Sequence, residues 1–223
     1  MVCQRCGAAA DSTGGLLPVG GQLFCESCST LDPESVFSTL LLQGRAEEAL
    51  HFAGDLVARV PDPWKRATVL LRLGVLCERA NMFDAASRVY RTGLAFEPMD
   101  RDTSYFLQNN LGYSLNQLRR FPQGAACCRA AIRTDSRRHN AWKNLGVALE
   151  GQSRFGEAAA AFLNAIRLWP QDPRAPVHLA EMAEREHDAV AAAIPDFEDT
   201  FERAAEVVND AIAGRVEEPA IDA

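Results

Sequence analysis

The 223 residues are 48% hydrophobic, enough to bury a substantial core, and no apolar run approaches the roughly 18 residues of a membrane span. The formal charge of −7 is uneven, with −2 over residues 1–32, +5 over 33–170 and −10 over 171–223, so the acidity sits in the tail. The opening MVCQRC carries no apolar signal segment, and no hydrophobic stretch precedes Cys3 to suggest secretion or lipidation, so a cytoplasmic setting is expected.

Cys3-x2-Cys6 and Cys25-x2-Cys28 bracket 18 residues, with no His nearby, so four thiolates can close a tetrahedron around one Zn2+. Gly7 permits the left-handed turn that aims backbone N–H groups at the thiolates, and Gly14-Gly15 and Gly20-Gly21 flank Leu16 to Val19 as a short hairpin strand. Through Gly21-Gln22-Leu23-Phe24-Cys25-Glu26-Ser27-Cys28, segment 1–31 resembles a zinc ribbon or half of a LIM-type module. With about thirty residues and almost no core, such a module depends on metal to fold, and the resemblance implies a structural Zn2+ held by Cys3, Cys6, Cys25 and Cys28. The same cysteines can be read as a disulfide pair, although paired C-x2-C knuckles in a reducing compartment favour metal. A four-Cys set leaves neither an open coordination position nor a general base, which argues against a zinc-dependent enzyme. Contact with nucleic acid is weakened by Arg5 being the only Lys or Arg of the segment.

From Asp32 the pattern turns helical. Asp32-Pro33-Glu34 reads as an N-cap, a proline at the first helical position and a carboxylate at the positive helix end, and Asp62-Pro63 and Asp172-Pro173 repeat the signal. Val36, Leu40 and Leu41, then Ala46, Ala49 and Leu50, make a first hairpin over about 33–61, without the Leu-Gly pair of the later ones. In the second, over 63–98, Leu73-Gly74 is followed by Phe83, Ala86, Tyr90, Gly93 and Pro98. The third, over 102–136, carries Leu111-Gly112, with Asp100 to Thr103 read as a short insertion in the turn before it. In the fourth, over 138–170, Trp142, Leu145 and Leu149 share one helical face, Gly151-Gln152-Ser153-Arg154 breaks the pattern, and Phe155, Ala158, Phe162 and Ala165 resume it up to Pro170. Gly146, Ala158 and Ala165 fall where its two helices cross, and their smallness lets the backbones approach to about 8 Å. A further helix is predicted over 172–194. Residues 195–223 then form an amphipathic acidic helix, with Phe197, Phe201, Ala204, Ala205, Val208 and Ile212 on one stripe and a frayed end from Glu217. That helix reads as the cap of a stack, or as a detachable helix that docks elsewhere.

Leu111-Gly112 precedes Leu145-Gly146 by 34 residues, and Asn110-Leu111-Gly112 recurs as Asn144-Leu145-Gly146. W-x2-L-G followed by Ala, Phe, Ala and Pro on this period resembles the tetratricopeptide repeat (TPR) family over roughly residues 33–194. The third hairpin departs from the pattern: Gln108 replaces the Trp, Gly124 the first helix-B Ala, Cys128 the Phe and Ser136 the Pro. The resemblance implies a mainly α fold, a right-handed α-solenoid of about four TPR hairpins plus C-terminal capping helices, preceded by the small β zinc ribbon. It also implies a protein-binding scaffold rather than an enzyme.

In such a stack the first helices of the hairpins line a groove, at positions offset from the Leu-Gly pair. Those positions are Thr68, Arg72, Arg79, Phe106, Asn109, Asn110, Tyr113, Asn116, Gln117, Asn140, Lys143, Asn144, Val147, Arg174, His178 and Arg185. Asn110 and Asn144, one repeat apart, can hold the backbone of an extended peptide in the manner of an asparagine ladder, while Arg and Lys select acidic side chains. The alternative is that both amides bond a neighbouring helix. The carboxylate clamp of chaperone-binding TPR domains is matched only by Asn144 and Arg174, since Asn109 and Tyr113 stand where that family has Lys and Asn. Cys77, Cys127 and Cys128 lie on small-residue faces and read as space-fillers. His51, His139, His178 and His187 have no spacing suited to a metal or a triad, and no nucleophile elbow or phosphate loop occurs. Arg133, Arg137 and Arg138 form a solvated basic face or meet an anionic partner. The reading is a cytoplasmic adaptor that binds a partner peptide or helix, with a nucleic-acid-associated regulator acting through the zinc ribbon as the alternative.

Overall fold

The computed structural model describes residues 16–19, 22–25, 33–194 and 196–212. Cys3, Cys6 and Cys28, the cap Asp32 and the tail from Glu217 lie outside the described residues. The chain divides into two compact units, Met1–Leu107 and Gln108–Ala223. The first unit holds an antiparallel pair of strands, β1 (Leu16–Val19) and β2 (Gln22–Cys25), in register from Leu16 opposite Cys25 to Val19 opposite Gln22. It then holds α1 (Pro33–Leu42), α2 (Ala46–Ala58), α3 (Pro63–Arg79), α4 (Phe83–Leu94) and the first residues of α5 (Arg101–Gln117). The second unit takes the rest of α5, then α6 (Phe121–Thr134), α7 (His139–Glu150), α8 (Phe155–Leu168), α9 (Arg174–Arg185), α10 (His187–Ala191) and α11 (Phe197–Ile212). No helix among the described residues is long and apolar enough to cross a membrane.

Aspartates start α3, α5 and α9 by satisfying orphan N–H groups of the first turn. Asp62 accepts from Trp64 N at 2.9 Å, with Pro63 in the first turn. Asp100 accepts from Thr103 N at 2.8 Å and from Thr103 Oγ1 at 2.6 Å. This corrects the reading of Asp100 to Thr103 as a turn insertion: the extra residues lengthen helix α5, because Asp100 caps it early. Within each hairpin the turn closes on a residue of left-handed φ, namely Gly44 (74°), Asn81 (56°), Arg119 (57°) and Ser153 (59°). The next N–H reaches back to the ending helix, as in Arg120 N to Leu115 O at 2.8 Å and Arg154 N to Leu149 O at 3.0 Å.

The helices of a hairpin meet at the glycine of the Leu-Gly pair. A Cβ on Gly74 would stand 2.2 Å from the ring of Tyr90, one on Gly146 2.5 Å from the ring of Phe162, and one on Gly112 2.5 Å from Cys128 Sγ. In each case the partner lies sixteen positions further along. The first hairpin reverses the pair: Phe37 stands at the glycine's position and Ala53 at the aromatic's, both buried. Its missing Leu-Gly signal is therefore an exchange of bulk between the two helices.

The helix expected over 172–194 is two helices. The chain bends at Glu186 (φ −127°, ψ 38°), which turns Val190 and Ile194 into the core formed with Phe162 and Leu179. Gly156 makes room for this return, since its added Cβ would stand 2.2 Å from Ala193. Phe197 and Phe201 of α11 pack against the same core, with ring centroids 5.0 Å apart.

Gly146→Ala is expected to cost about 1–3 kcal/mol, because an added methyl meets a ring with no room to retreat. Gly146→Ala/Phe162→Leu should recover part of that loss in chemical denaturation. A single variant as stable as wild type would contradict the close approach.

Candidate functional site

The sixteen positions expected along the groove fall in both units, and the first-unit ones are largely occupied. Arg72 is ion-paired to Glu34. Thr68 Oγ1 donates to Trp64 O of its own helix at 3.3 Å. Arg79 is exposed, and Phe106, 38% exposed, meets Tyr105 edge-on at 5.3 Å.

In the second unit, α5, α7 and α9 carry the other twelve positions; Val147 packs against the core, and most of the rest fall into two sets with different fates. The first set is an amide lattice. Asn144 Nδ2 donates to Asn109 Oδ1 at 3.1 Å, and Asn109 Nδ2 donates to Asn110 Oδ1 at 3.0 Å. Asn116 Nδ2 donates to the Asn144 carbonyl at 2.8 Å. Asn109, Asn116 and Asn144 are all buried. The side chain of Asn144 is thus turned inward, as the alternative to the ladder anticipated, and it ties α7 to α5. Asn110 is half-buried beside the lattice. Gly124, a departure from the repeat pattern, acquires a reason here: a Cβ on it would stand 2.1 Å from Asn116 Oδ1, so the buried amide requires a glycine opposite. That oxygen has no hydrogen-bond donor among the described residues.

The second set is ionic. Asp172 receives Arg174 Nε and Nη2, each at 2.7 Å, and also Arg174 N at 3.0 Å, and His139 Nε2 lies 3.2 Å away. Burial pushes the Asp172 carboxyl up, but these bonds outweigh it and hold the group down at about 2. Burial lowers His139 below its ordinary value despite Asp172, and its ring stacks on Trp169 at 5.8 Å. Arg174 Nη2 also reaches Asn140 Oδ1 at 3.3 Å. Further along, Arg185 Nη2 is 2.6 Å from Glu150 Oε1, and His178 lies flat on Phe162 with centroids 5.5 Å apart. Arg174 and Arg185 are thus each matched by a carboxylate, which the sequence reading left out; the signals were Asp172 two residues before Arg174, and Glu150 one repeat before Arg185.

Lys143 is matched by none. It is 7% exposed, and among the described residues it has no hydrogen bond and no ion pair. Burial, then the charge of Arg174, lowers its ammonium from 10.5 to about 8, with Asp172 and Cys128 opposing the shift weakly. Tyr113 and Asn140 are half-buried, and Gln117 is exposed. The unit therefore carries a largely desolvated cation on the face of α7, where a carboxylate arriving from outside would meet an unmatched charge.

The remaining singled-out residues are quieter. The thiols of Cys77 and Cys128 are pushed up to about 12 by burial, so they stay protonated and serve as packing. Arg137 and Arg138 both bond Asp135, whose carboxyl sits below its ordinary value because these bonds outweigh burial. Among the described residues no group of three or more His, Cys, Asp or Glu is placed to hold a metal ion.

Known proteins give these observations a context. The tetratricopeptide repeat family profile matches residues 109–173 and 151–215. Tetratricopeptide repeat protein 7B of Homo sapiens is 31% identical over 108 residues, which is 48% of this chain and 12% of that protein's length. Among solved structures, MamA 41-end from Desulfovibrio magneticus RS-1 superposes with a TM-score of 0.55 at 20% identity, covering 81% of this chain and 97% of its own. The first TPR of Spaghetti (RPAP3), solved bound to the HSP90 peptide SRMEEVD, superposes at 0.50 and 20% identity, covering 55% of this chain and 94% of its own. At such identities the structures share a fold. The stretch similar to tetratricopeptide repeats, residues 109–215, lies within the second unit.

Proposed function

We propose that the protein is a non-enzymatic interaction scaffold whose second unit binds an acidic segment of a partner protein. The observation that carries this is Lys143, buried on the first-helix face with no hydrogen bond and no ion pair among the described residues, Asp172 acting on it only from beyond ion-pair distance. A fold tolerates an unmatched buried ammonium only at a cost, and a ligand carboxylate removes that cost while gaining a charge-assisted hydrogen bond. Asn140, one helical turn before Lys143, and Asn110 and Tyr113 on α5 add further hydrogen-bonding groups to the first-helix face, and the inward lattice of Asn109, Asn116 and Asn144 keeps α5 and α7 in place. In a neighbour of the same fold the bound peptide, SRMEEVD, is rich in carboxylates, which supports a ligand of that character. The chaperone-tail clamp itself is not reproduced, since Asn109 and Tyr113 replace its Lys and Asn.

The N-terminal segment is proposed to hold one structural Zn2+ through Cys3, Cys6, Cys25 and Cys28. The donor set fits: four thiolates with no His suit a closed zinc site, and β2 ends on Cys25, the first residue of the second knuckle. A bound zinc would supply the folding energy that so short a segment lacks. The zinc assignment and the adaptor reading are both compatible with a reducing cytoplasm.

Lys143→Met should separate binding from stability. Removing an uncompensated charge is expected to stabilise the fold at pH 7 by about 1–3 kcal/mol, while binding of acidic peptides is lost relative to their Gln and Asn analogues. Loss of stability at pH 7, or undiminished binding, would sink the reading.

A pH titration gives a second check. The native ammonium titrates near 8 and the unfolded one near 10.5, so the unfolded chain holds the extra proton between those values. The Lys143 contribution to stability is therefore unfavourable and constant below pH 8, then recovers as the pH rises toward 10.5. Affinity for an acidic peptide should fall as the pH rises through about 8, with proton uptake on binding. A flat profile from pH 7 to 10 would contradict this.

For the metal, elemental analysis should find about one zinc per chain, lost in the fourfold Cys→Ser variant with the helical content retained. Zinc kept by that variant would refute the ligand set.

A further inference from the structure

A cleft of about 390 Å3 opens on the first unit between α2 and α4, with Leu50, Ala53, Val57, Leu70 and Val89 among its lining. It is separate from the α1–α3 ion pair Arg72–Glu34. Its cause lies in the reversed first hairpin: where the second and fourth hairpins place an aromatic ring on the second helix, α2 has Ala53, followed by Gly54.

Gly54 is the informative residue. Gly74, Gly93, Gly112, Gly124, Gly146 and Gly156 are also helical, and a Cβ on any of them would come within 2.8 Å of a packed neighbour. On Gly54 it would meet nothing within 4 Å. A glycine in a helix interior destabilises the helix relative to alanine, and nothing in the described chain requires this one. What does explain it is a backbone laid against α2 from outside.

The polar groups at the rim indicate the occupant's chemistry. Arg88 is held by Glu47. Arg66 donates its Nε to Val60 O at 2.7 Å and lies over Phe96 at 5.5 Å, which fixes the guanidinium plane; its Nη groups have no acceptor among the described residues. An apolar floor ending in a fixed, unused guanidinium edge suits an apolar stripe that ends in a carboxylate. The cleft is half open, so a small molecule would keep much of its surface in water, whereas a protein partner brings its own cover.

We propose that this cleft is a docking groove for an amphipathic helix of a partner protein, its apolar face over Gly54 and an acidic side chain on Arg66. The mode is helix-in-groove, with the small surface of Ala53, Gly54 and Ala58 admitting the incoming backbone. It does not depend on the second unit's acidic-peptide reading.

The test is a selection of 18-residue amphipathic helical peptides on the full chain, followed by fluorescence anisotropy of the winners. Selected sequences should combine an apolar stripe with a terminal Asp or Glu. Gly54→Leu, which fills open space, should weaken them about tenfold or more without lowering the melting temperature, and Arg66→Gln should do so only for peptides that keep the carboxylate. Lys143→Met should leave their affinity unchanged, which separates this site from the one on α7. The proposal is overturned if no selected peptide responds to Gly54→Leu, if binding also vanishes in Lys143→Met, or if decanoate alone binds with the same dependence on Gly54 and Arg66.

Discussion

The close contact of two helices at a glycine is the constraint on which each hairpin is built. Gly74 under Tyr90 and Gly146 under Phe162 bring backbones together at a distance that any side chain would prevent. The contact requires bulk on one helix and its absence on the other, sixteen positions apart. It does not require that the bulk always sit on the second helix. Phe37 and Ala53 satisfy it in reverse, and Gly112 with Cys128 satisfies it with a smaller pair.

Variation in that contact has consequences elsewhere. In the third hairpin, Cys128 in place of an aromatic is accompanied by Asn116, whose amide enters the helix layer and rests against Gly124. The same amide donates to the Asn144 carbonyl and so joins the third hairpin to the fourth. A lattice of neutral amides tolerates burial when its donors are spent; here it leaves Asn116 Oδ1 without a donor among the described residues and fixes the helices that carry the candidate site. Lys143, next in sequence to Asn144 of this lattice, is buried under opposite conditions, with no acceptor among the described residues. Stability alone would favour Met or Leu at that position, and the proposed ligand gives its charge a reason.

Much of the repeat was legible in the sequence because glycine, aromatic and alanine positions recur at helical spacing, and packing leaves few other choices there. The left-handed turn residues were not legible: Asn81, Arg119 and Ser153 share a backbone conformation and no chemistry. The break at Glu186 was also hidden, because the apolar positions of 174–194 suit one helix as well as two. For the site, residue type identified Arg174, Arg185 and Lys143 as equivalent cations. Only the structure distinguishes them, since Asp172 and Glu150 pair directly with two, and the third has no ion pair among the described residues. The inward turn of Asn144 illustrates the same limit, as a one-residue rotation around a helix separates a groove amide from a buried one.

The central claim is that Lys143 is held desolvated and unmatched until a carboxylate arrives. The most direct measurement is an NMR titration of the Lys143 side chain, using 13C at the ε position, with and without a saturating acidic peptide. The account predicts a midpoint near 8 in the free protein and a clear upward displacement in the complex. A midpoint near 10.5 in the free protein, or one that the peptide does not move, would contradict it.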